Sequence, residues 1–196
     1  MTVAGVSPAG AAYAAFVLLA VALAAWERWV ALGNERRLRL ENAPEIAPWI
    51  FRWMVPVYSL LFPAAILEHV LLERRPPAAL AAGMVLLFAA AKMLKLWAIR
   101  HLGGAWTMRV FVPADLRVAT GGPYRFIRHP NYVAVAIEIA ALPLAGGAFI
   151  TAAAGLLLFA PLLWARVSTE ERALLARPEY AAAMADRGRF VPGGRA

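Results

Sequence analysis

The sequence predicts an all-α fold, an integral membrane bundle of five transmembrane helices with a cytoplasmic C-terminal helix. Three observations point to it. The 196 residues are 62% hydrophobic and 16% charged, whereas a soluble domain carries roughly half apolar and a quarter charged residues. Five apolar runs stand out, at 11–32, 49–72, 77–99, 131–145 and 148–167. The basic residues gather in the segments that lie on one side of those runs once the chain is threaded back and forth.

A spanning helix needs roughly 20 residues. The first three runs and the fifth meet that length. No basic segment precedes the first run, so it reads as a retained helix and not a cleaved signal peptide. Pro56 and Pro63 in the second run and Pro161 in the fifth are expected to kink their helices, which neighbouring groups in a bundle tolerate. The fourth run is short, with Pro143 and Gly146-Gly147 at its end. The fourth and fifth therefore read as a tight helical hairpin turned by the glycine pair. Beyond the fifth run a separate helix is expected over 168–185. Ser168 or Thr169 would cap it and Glu170-Glu171 would lie in its first turn, where carboxylates suit the positive end of the helix dipole. Pro178 would break or restart it.

Charge sets the orientation and the partners. With the N-terminus outside, every Lys and Arg except Arg74 and Arg75 flanks an inner loop or the C-terminus, as the positive-inside rule requires. Trp26, Trp29, Trp49, Trp53, Trp97, Trp106 and Trp164 lie near run ends, mostly on that inner side, as an aromatic belt does. The net charge of +8 is explained by this topology and by anionic headgroups, so nucleic acid is excluded as a partner and membrane lipids are expected. The Ala- and Arg-rich, Lys-poor usage suits a GC-rich bacterial genome and hence a bacterial inner (cytoplasmic) membrane. There is no cysteine, which removes disulfides and thiolate chemistry. His69, His101 and His129 are too scattered for a metal site. Walker A, dinucleotide-binding and Gly-x-Ser-x-Gly signatures are absent.

The chemistry-bearing residues lie in two blocks. The first is Gly122-Pro123-Tyr124-Arg125-Phe126-Ile127-Arg128-His129-Pro130-Asn131-Tyr132. Pro130 suits the first turn of a helix. It leaves His129 at a helix start, where outward N–H groups bind anions. Arg125 and Arg128 add fixed positive charge able to grip a carboxylate or phosphate. The bland alternative is a basic anchor for headgroups. The second block is Glu170-Glu171, either a helix cap or a pair that hydrogen-bonds a ribose or attracts a cation. Both blocks fall on the inner side, so they can meet. Glu138 lies inside an apolar run, on the same helix face as Asn131, where a charge is costly. It reads two ways, as a structural Glu paired with Lys92 or Lys95, or as a general base tuned by burial. Lys92 and Lys95 are expected to snorkel, and Glu68-His69 reads as an interfacial pair.

Taken together, Gly-Pro-Tyr-Arg at 122–125, Arg128-His129-Pro130-x-Tyr132, Glu170-Glu171, Leu174, Tyr180 and Arg189-Phe190-Val191-Pro192 resemble the isoprenylcysteine carboxyl methyltransferase family. Phospholipid N-methyltransferases share the His-Pro and paired-glutamate elements. The similarity covers about residues 100–192. It implies an integral membrane methyltransferase that uses S-adenosylmethionine in a cytoplasmic pocket, with a lipophilic substrate entering sideways from the bilayer. By this resemblance Tyr124, Arg128, His129, Pro130 and Tyr132 would line the cofactor pocket. Glu170 and Glu171 would hold its polar end, and Arg189 through Pro192 would close over it. The whole chain, 1–196, would form one domain, with N-terminal helices over 1–99 and a cofactor-binding catalytic half over 100–196. Ala134 departs from a glycine that the family often carries, and Gly121-Gly122 only loosely replaces the Gly-x-Gly of the phospholipid enzymes. A finer similarity rests on His101-Leu102-Gly103, Trp106-Thr107-x-Arg109-Val110, Glu138 and Leu142-Pro143-Leu144. It resembles a bacterial branch that O-methylates alkylresorcinols or alkylpyrones.

The implied reaction is an in-line displacement of a sulfonium methyl by oxygen, in which the protein positions the reactants and excludes water. Arg128 and His129 suit the cofactor's carboxylate. A phenolic acceptor needs a base, for which Glu138 and His129 are the candidates; a carboxylate acceptor needs none. The expected catalytic residues are thus Glu138, His129 and Arg128. A phospholipid N-methyltransferase is the alternative enzyme. A non-enzymatic lipid-binding membrane protein, with no cofactor affinity, is the alternative of another class.

Overall fold

The computed structural model describes residues 8–193. Six α-helices follow one another: α1 (Pro8–Leu40), α2 (Pro48–Leu71), α3 (Ala78–Leu102), α4 (Pro130–Ala145), α5 (Phe149–Leu175) and α6 (Pro178–Met184). Two short strands, β1 (Glu45–Ile46) and β2 (Val110–Phe111), pair antiparallel, so the fold is nearly but not wholly α.

Helices α1, α2, α3 and α5 are each long and apolar enough to cross a membrane. Leu18, Leu60, Leu86 and Leu157 project outward from them, exposed as lipid-facing side chains are. Helix α4 differs. Its 16 residues rise about 24 Å, short of a hydrocarbon layer of roughly 30 Å. It packs on α3, α5 and α2, and Ala134, Glu138, Ile139, Ala141 and Leu142 on it are almost wholly buried. A helix shielded by its neighbours need not match the bilayer thickness.

The α4–α5 turn sits at one end of the bundle, as the glycine pair predicts. Gly147 takes φ 72°, and a Cβ on Gly146 would fall 2.2 Å from the Tyr13 ring. Glu68 caps α5 from α2: Ile150 N–H and Thr151 N–H donate to its carboxylate at 3.1 and 2.7 Å. Adjacent His69 donates from Nδ1 to the Gly146 carbonyl at 2.7 Å. The expected interfacial pair is therefore a helix cap and a turn lock.

The other end gathers the C-termini of α1, α3 and α5 with the N-termini of α2 and α4. The β1–β2 ladder sets Glu45 opposite Phe111, and Asn34 Nδ2 donates to the Trp106 carbonyl at 2.8 Å. Here two expectations need correction. Helix α1 runs on past the end of its apolar run to Leu40, and α5 continues to Leu175. Ser168 and Thr169 therefore cap nothing, and Glu170-Glu171 lie in the last turns of α5, at the negative end of its dipole. Hydropathy stops where lipid stops; the hydrogen-bond ladder stops only at a breaker, and none lies between Pro161 and Pro178. Pro178 restarts the chain as α6. Trp106 also departs from the belt. It is 4% exposed and packs on Ala31 and Ile99, while the other six tryptophans are solvent- or lipid-accessible.

Inside the bundle, Lys92 and Lys95 do not snorkel. Lys92 Nζ lies 2.7 Å from Glu27 and 3.1 Å from Glu138. Lys95 Nζ lies 3.0 Å from Glu27 and 2.8 Å from Glu138. Tyr58 Oη donates to Glu138 at 2.9 Å. Two acids, two lysines and a phenol from α1, α2, α3 and α4 thus close a buried network whose formal charges cancel, the condition under which ions are tolerated in a membrane bundle.

Candidate active site

A cavity of about 840 Å³ opens at the end where the two sequence blocks converge. The start of α4 and the end of α5 supply Arg128, His129, Asn131, Tyr132, Arg166 and Glu170 to its lining. The turn at 122–125 supplies Tyr124, α6 supplies Tyr180 and Met184, and the projecting end of α1 supplies Arg37, Leu38 and Glu41.

Local sequence builds this arrangement. Gly122 takes φ 57°, and a Cβ there would come 2.5 Å from the His101 ring. Only glycine fits both the left-handed backbone and that approach. The turn it opens sends Tyr124 inward, and Pro130 then starts α4 directly behind His129. The C-terminal strip pairs onto the same segment. Arg128 N–H donates to the Gly188 carbonyl and His129 N–H to the Arg189 carbonyl, both at 3.0 Å.

Glu171, 2% exposed, is the electrostatic knot between the blocks. Arg128 Nε lies 2.9 Å from it, His129 Nε2 3.1 Å and Arg189 Nε 2.6 Å. The Arg128 and Arg189 guanidiniums offset the unfavourable dipole end of α5. Glu170 faces the other way, into the cavity, where it accepts a hydrogen bond from Tyr132 Oη. Tyr132 Oη accepts in turn from Arg166 Nε at 2.7 Å. Burial, with Glu170 nearby, pushes the Tyr124 and Tyr180 phenols above their usual range, so both stay neutral hydroxyls.

The expected site residues separate accordingly. Tyr124, Arg128, His129, Tyr132 and Glu170 line the cavity; Pro130, Glu171, Arg189 and Pro192 stand behind it. Glu138 is not brought to the cavity. It lies about two turns deeper along α4, within the lysine network. Arg166, Asn131 and Trp106, to which the sequence motifs assign no site role, also line the cavity, Trp106 donating to Asn131 at 3.4 Å. Arg166 falls inside the fifth apolar run, so the cost that singles out Glu138 singles it out too. Nothing in local sequence signals that Arg37 and Glu41 reach the cavity, because this depends on α1 continuing beyond the bilayer.

Arg128 bears on what the cavity holds. Its side chain is almost wholly buried, it lines the cavity, and its Nη2 has no hydrogen-bond partner among the described residues. A buried donor left without a partner calls for an anion, and a carboxylate-bearing cofactor fits that requirement.

A mostly helical bundle with four membrane-length apolar helices and a polar cavity at one end defines an integral membrane protein. The chain matches the sequence profile of the Isoprenylcysteine carboxyl methyltransferase (ICMT) family over residues 81–176. It is also similar to "Uncharacterized protein YpbQ" of Bacillus subtilis (strain 168), 29% identical over 148 residues, which cover 76% of this chain and 88% of that protein.

Proposed function

We propose that the protein is an S-adenosylmethionine-dependent methyltransferase acting on a lipophilic acceptor at the cytoplasmic face of a bacterial inner membrane. The observation that carries this reading is the orphaned, buried Arg128 donor in a cavity that also presents Glu170. When bound, the cofactor supplies an electrophilic methyl group. Arg128 would take its carboxylate, and Glu170 would complement its positive charge. Leu116, Val118, Leu174 and Met184, clustered with Tyr124 and Tyr180, offer the apolar surface its adenine needs. The projecting end of α1 and the 112–119 segment would exclude water. Glu138 enters as counter-ion to Lys92 and Lys95, and His129 as a ring held by Glu171. The whole chain would act as one domain, with α4 as a short fifth membrane segment.

Calorimetry of the detergent-solubilised protein with S-adenosylmethionine and its demethylated product tests this directly. Saturable heat with both ligands, each displacing the other, is expected; no heat would favour the non-enzymatic lipid-binding alternative. Incubating membranes with methyl-labelled cofactor then identifies the labelled lipid.

Orientation is tested separately, because a chain without cysteine permits clean single labels. Arg75, on the α2–α3 turn, and Arg117, in the 103–129 connection, are both exposed. An impermeant maleimide is expected to label Arg75→Cys in intact cells and Arg117→Cys only after lysis. The reverse pattern would invert the topology and place the cavity outside.

A further inference from the structure

The two adjacent glutamates at the end of α5 have opposite surroundings. Glu171 is held by Arg128, His129 and Arg189. Glu170 lines the cavity, and its one hydrogen-bond or ion-pair partner among the described residues is the Tyr132 hydroxyl. Behind Tyr132, Arg166 donates from Nε to the phenolic oxygen and from Nη1 to the Met108 carbonyl.

The direction of these bonds follows from the groups themselves. A guanidinium only donates and a carboxylate only accepts, while a phenolic oxygen has one hydrogen and two lone pairs. Tyr132 therefore spends its hydrogen on Glu170 and one lone pair on Arg166. One lone pair remains, and Tyr132 lines the cavity. A hydroxyl presented from the cavity can donate to it.

We infer that Tyr132, Glu170 and Arg166 form a proton exit for a hydroxyl acceptor, with Tyr132 the catalytic residue, Glu170 the final proton acceptor and Arg166 a positioning residue. This rests on the methyltransferase reading and deepens it by assigning the base that a hydroxyl acceptor on a lipophilic chain requires. The acceptor oxygen bonds to the methyl carbon as the carbon–sulfur bond breaks. The acceptor's proton passes to Tyr132 Oη, and Tyr132's own proton passes to Glu170. The sulfonium and carboxylate charges disappear together, so the step leaves no new charge at the site. Arg166 steadies the phenolic oxygen while it exchanges protons. The other groups facing the pair have different tasks: Arg128 and His129 hold Glu171, and Tyr124 and Tyr180 stay neutral. A carboxylate acceptor has no proton to lose and would leave the device idle.

The test uses the full-length protein in lipid nanodiscs with a long-chain 4-alkylphenol and its ring-fluorinated, more acidic analogues. Tyr132→Phe and Glu170→Gln are each expected to lower kcat with the parent phenol by about 10²- to 10⁴-fold at neutral pH, the usual worth of a general base. The loss is expected to shrink steadily as the phenol becomes more acidic, because a phenolate needs no base. Glu170→Asp is expected to recover most of what Gln loses. A readout without turnover comes from infrared difference spectra with a non-reactive amine analogue of the cofactor bound. Adding the acidic phenol is expected to produce a protonated-carboxyl band that Glu170→Gln lacks. An equal loss across the phenol series, or wild-type turnover in either variant, would overturn the inference, as would the absence of the band. A wild-type protein that binds the nucleotide but methylates only carboxylates would sink the proton exit and spare the methyltransferase reading. One that binds no nucleotide would sink both.

Discussion

Lys92→Met is expected to cost about 3–5 kcal/mol of stability, the usual penalty for leaving a buried charge without its partner, and Glu27→Gln in the same chain is expected to recover most of it. Lys92 joins Glu27 on α1 to Glu138 on α4. Removing the lysine leaves two carboxylates facing Lys95 alone, an excess negative charge inside the bundle. Removing Glu27 as well restores neutrality and leaves the Lys95–Glu138 pair at 2.8 Å intact. Each single variant should therefore unfold at much lower temperature than the double variant, measured in the same detergent. Costs that simply add would show that neutrality of the network is not what matters. The consequence reaches the cavity, because α4 carries both Glu138 and the Asn131 and Tyr132 side chains that line it. Glu138→Gln should accordingly depress methylation of hydroxyl and carboxylate acceptors alike. A loss confined to hydroxyl acceptors would instead make Glu138 the base.

Arg128→Lys is expected to weaken binding of the demethylated nucleotide about 10- to 100-fold, the worth of a hydrogen bond to a charged group, while the protein still folds. Arginine does two things here. Nε faces Glu171 at 2.9 Å, while Nη2 has no hydrogen-bond partner among the described residues. A planar guanidinium serves both directions at once; an ammonium keeps the charge but loses the fork. Lysine should therefore continue to neutralise Glu171, together with Arg189, and fail on the ligand side. Arg128→Gln removes the charge too and is expected to lower stability as well as affinity. Calorimetry and thermal unfolding of the two variants separate these roles. Unchanged nucleotide affinity in Arg128→Lys would mean that the orphaned donor does not hold the ligand.

Much of this was legible in the chain itself. Pro130 behind His129 and the Gly-Gly before α5 mark helix boundaries through backbone chemistry that acts locally, and both fall where the sequence places them. The lysine pairing of Glu138, one of its two readings, also emerges from the cost of charge in lipid. The expected boundaries at the ends of α1 and α5 were wrong for one reason. Both were read from hydropathy, which senses the solvent, whereas a helix ends where its hydrogen bonding is interrupted. That single misreading hid the reach of α1 into the cavity and reversed the dipole environment of Glu170 and Glu171.

The sequence by itself determined the solvent of this protein, its helical class, the family profile that residues 81–176 match and the two polar blocks. These follow from composition, local breakers and motif spacing, which act over a few residues. Tertiary structure alone decided which block residues face the cavity and which stand behind it. Glu170 and Glu171 are neighbours in sequence and chemically identical, yet one meets Tyr132 and the other two arginines and a histidine. The difference arises because successive residues on a helix point about 100° apart, and only packing against α4 and the C-terminal strip says what lies in each direction.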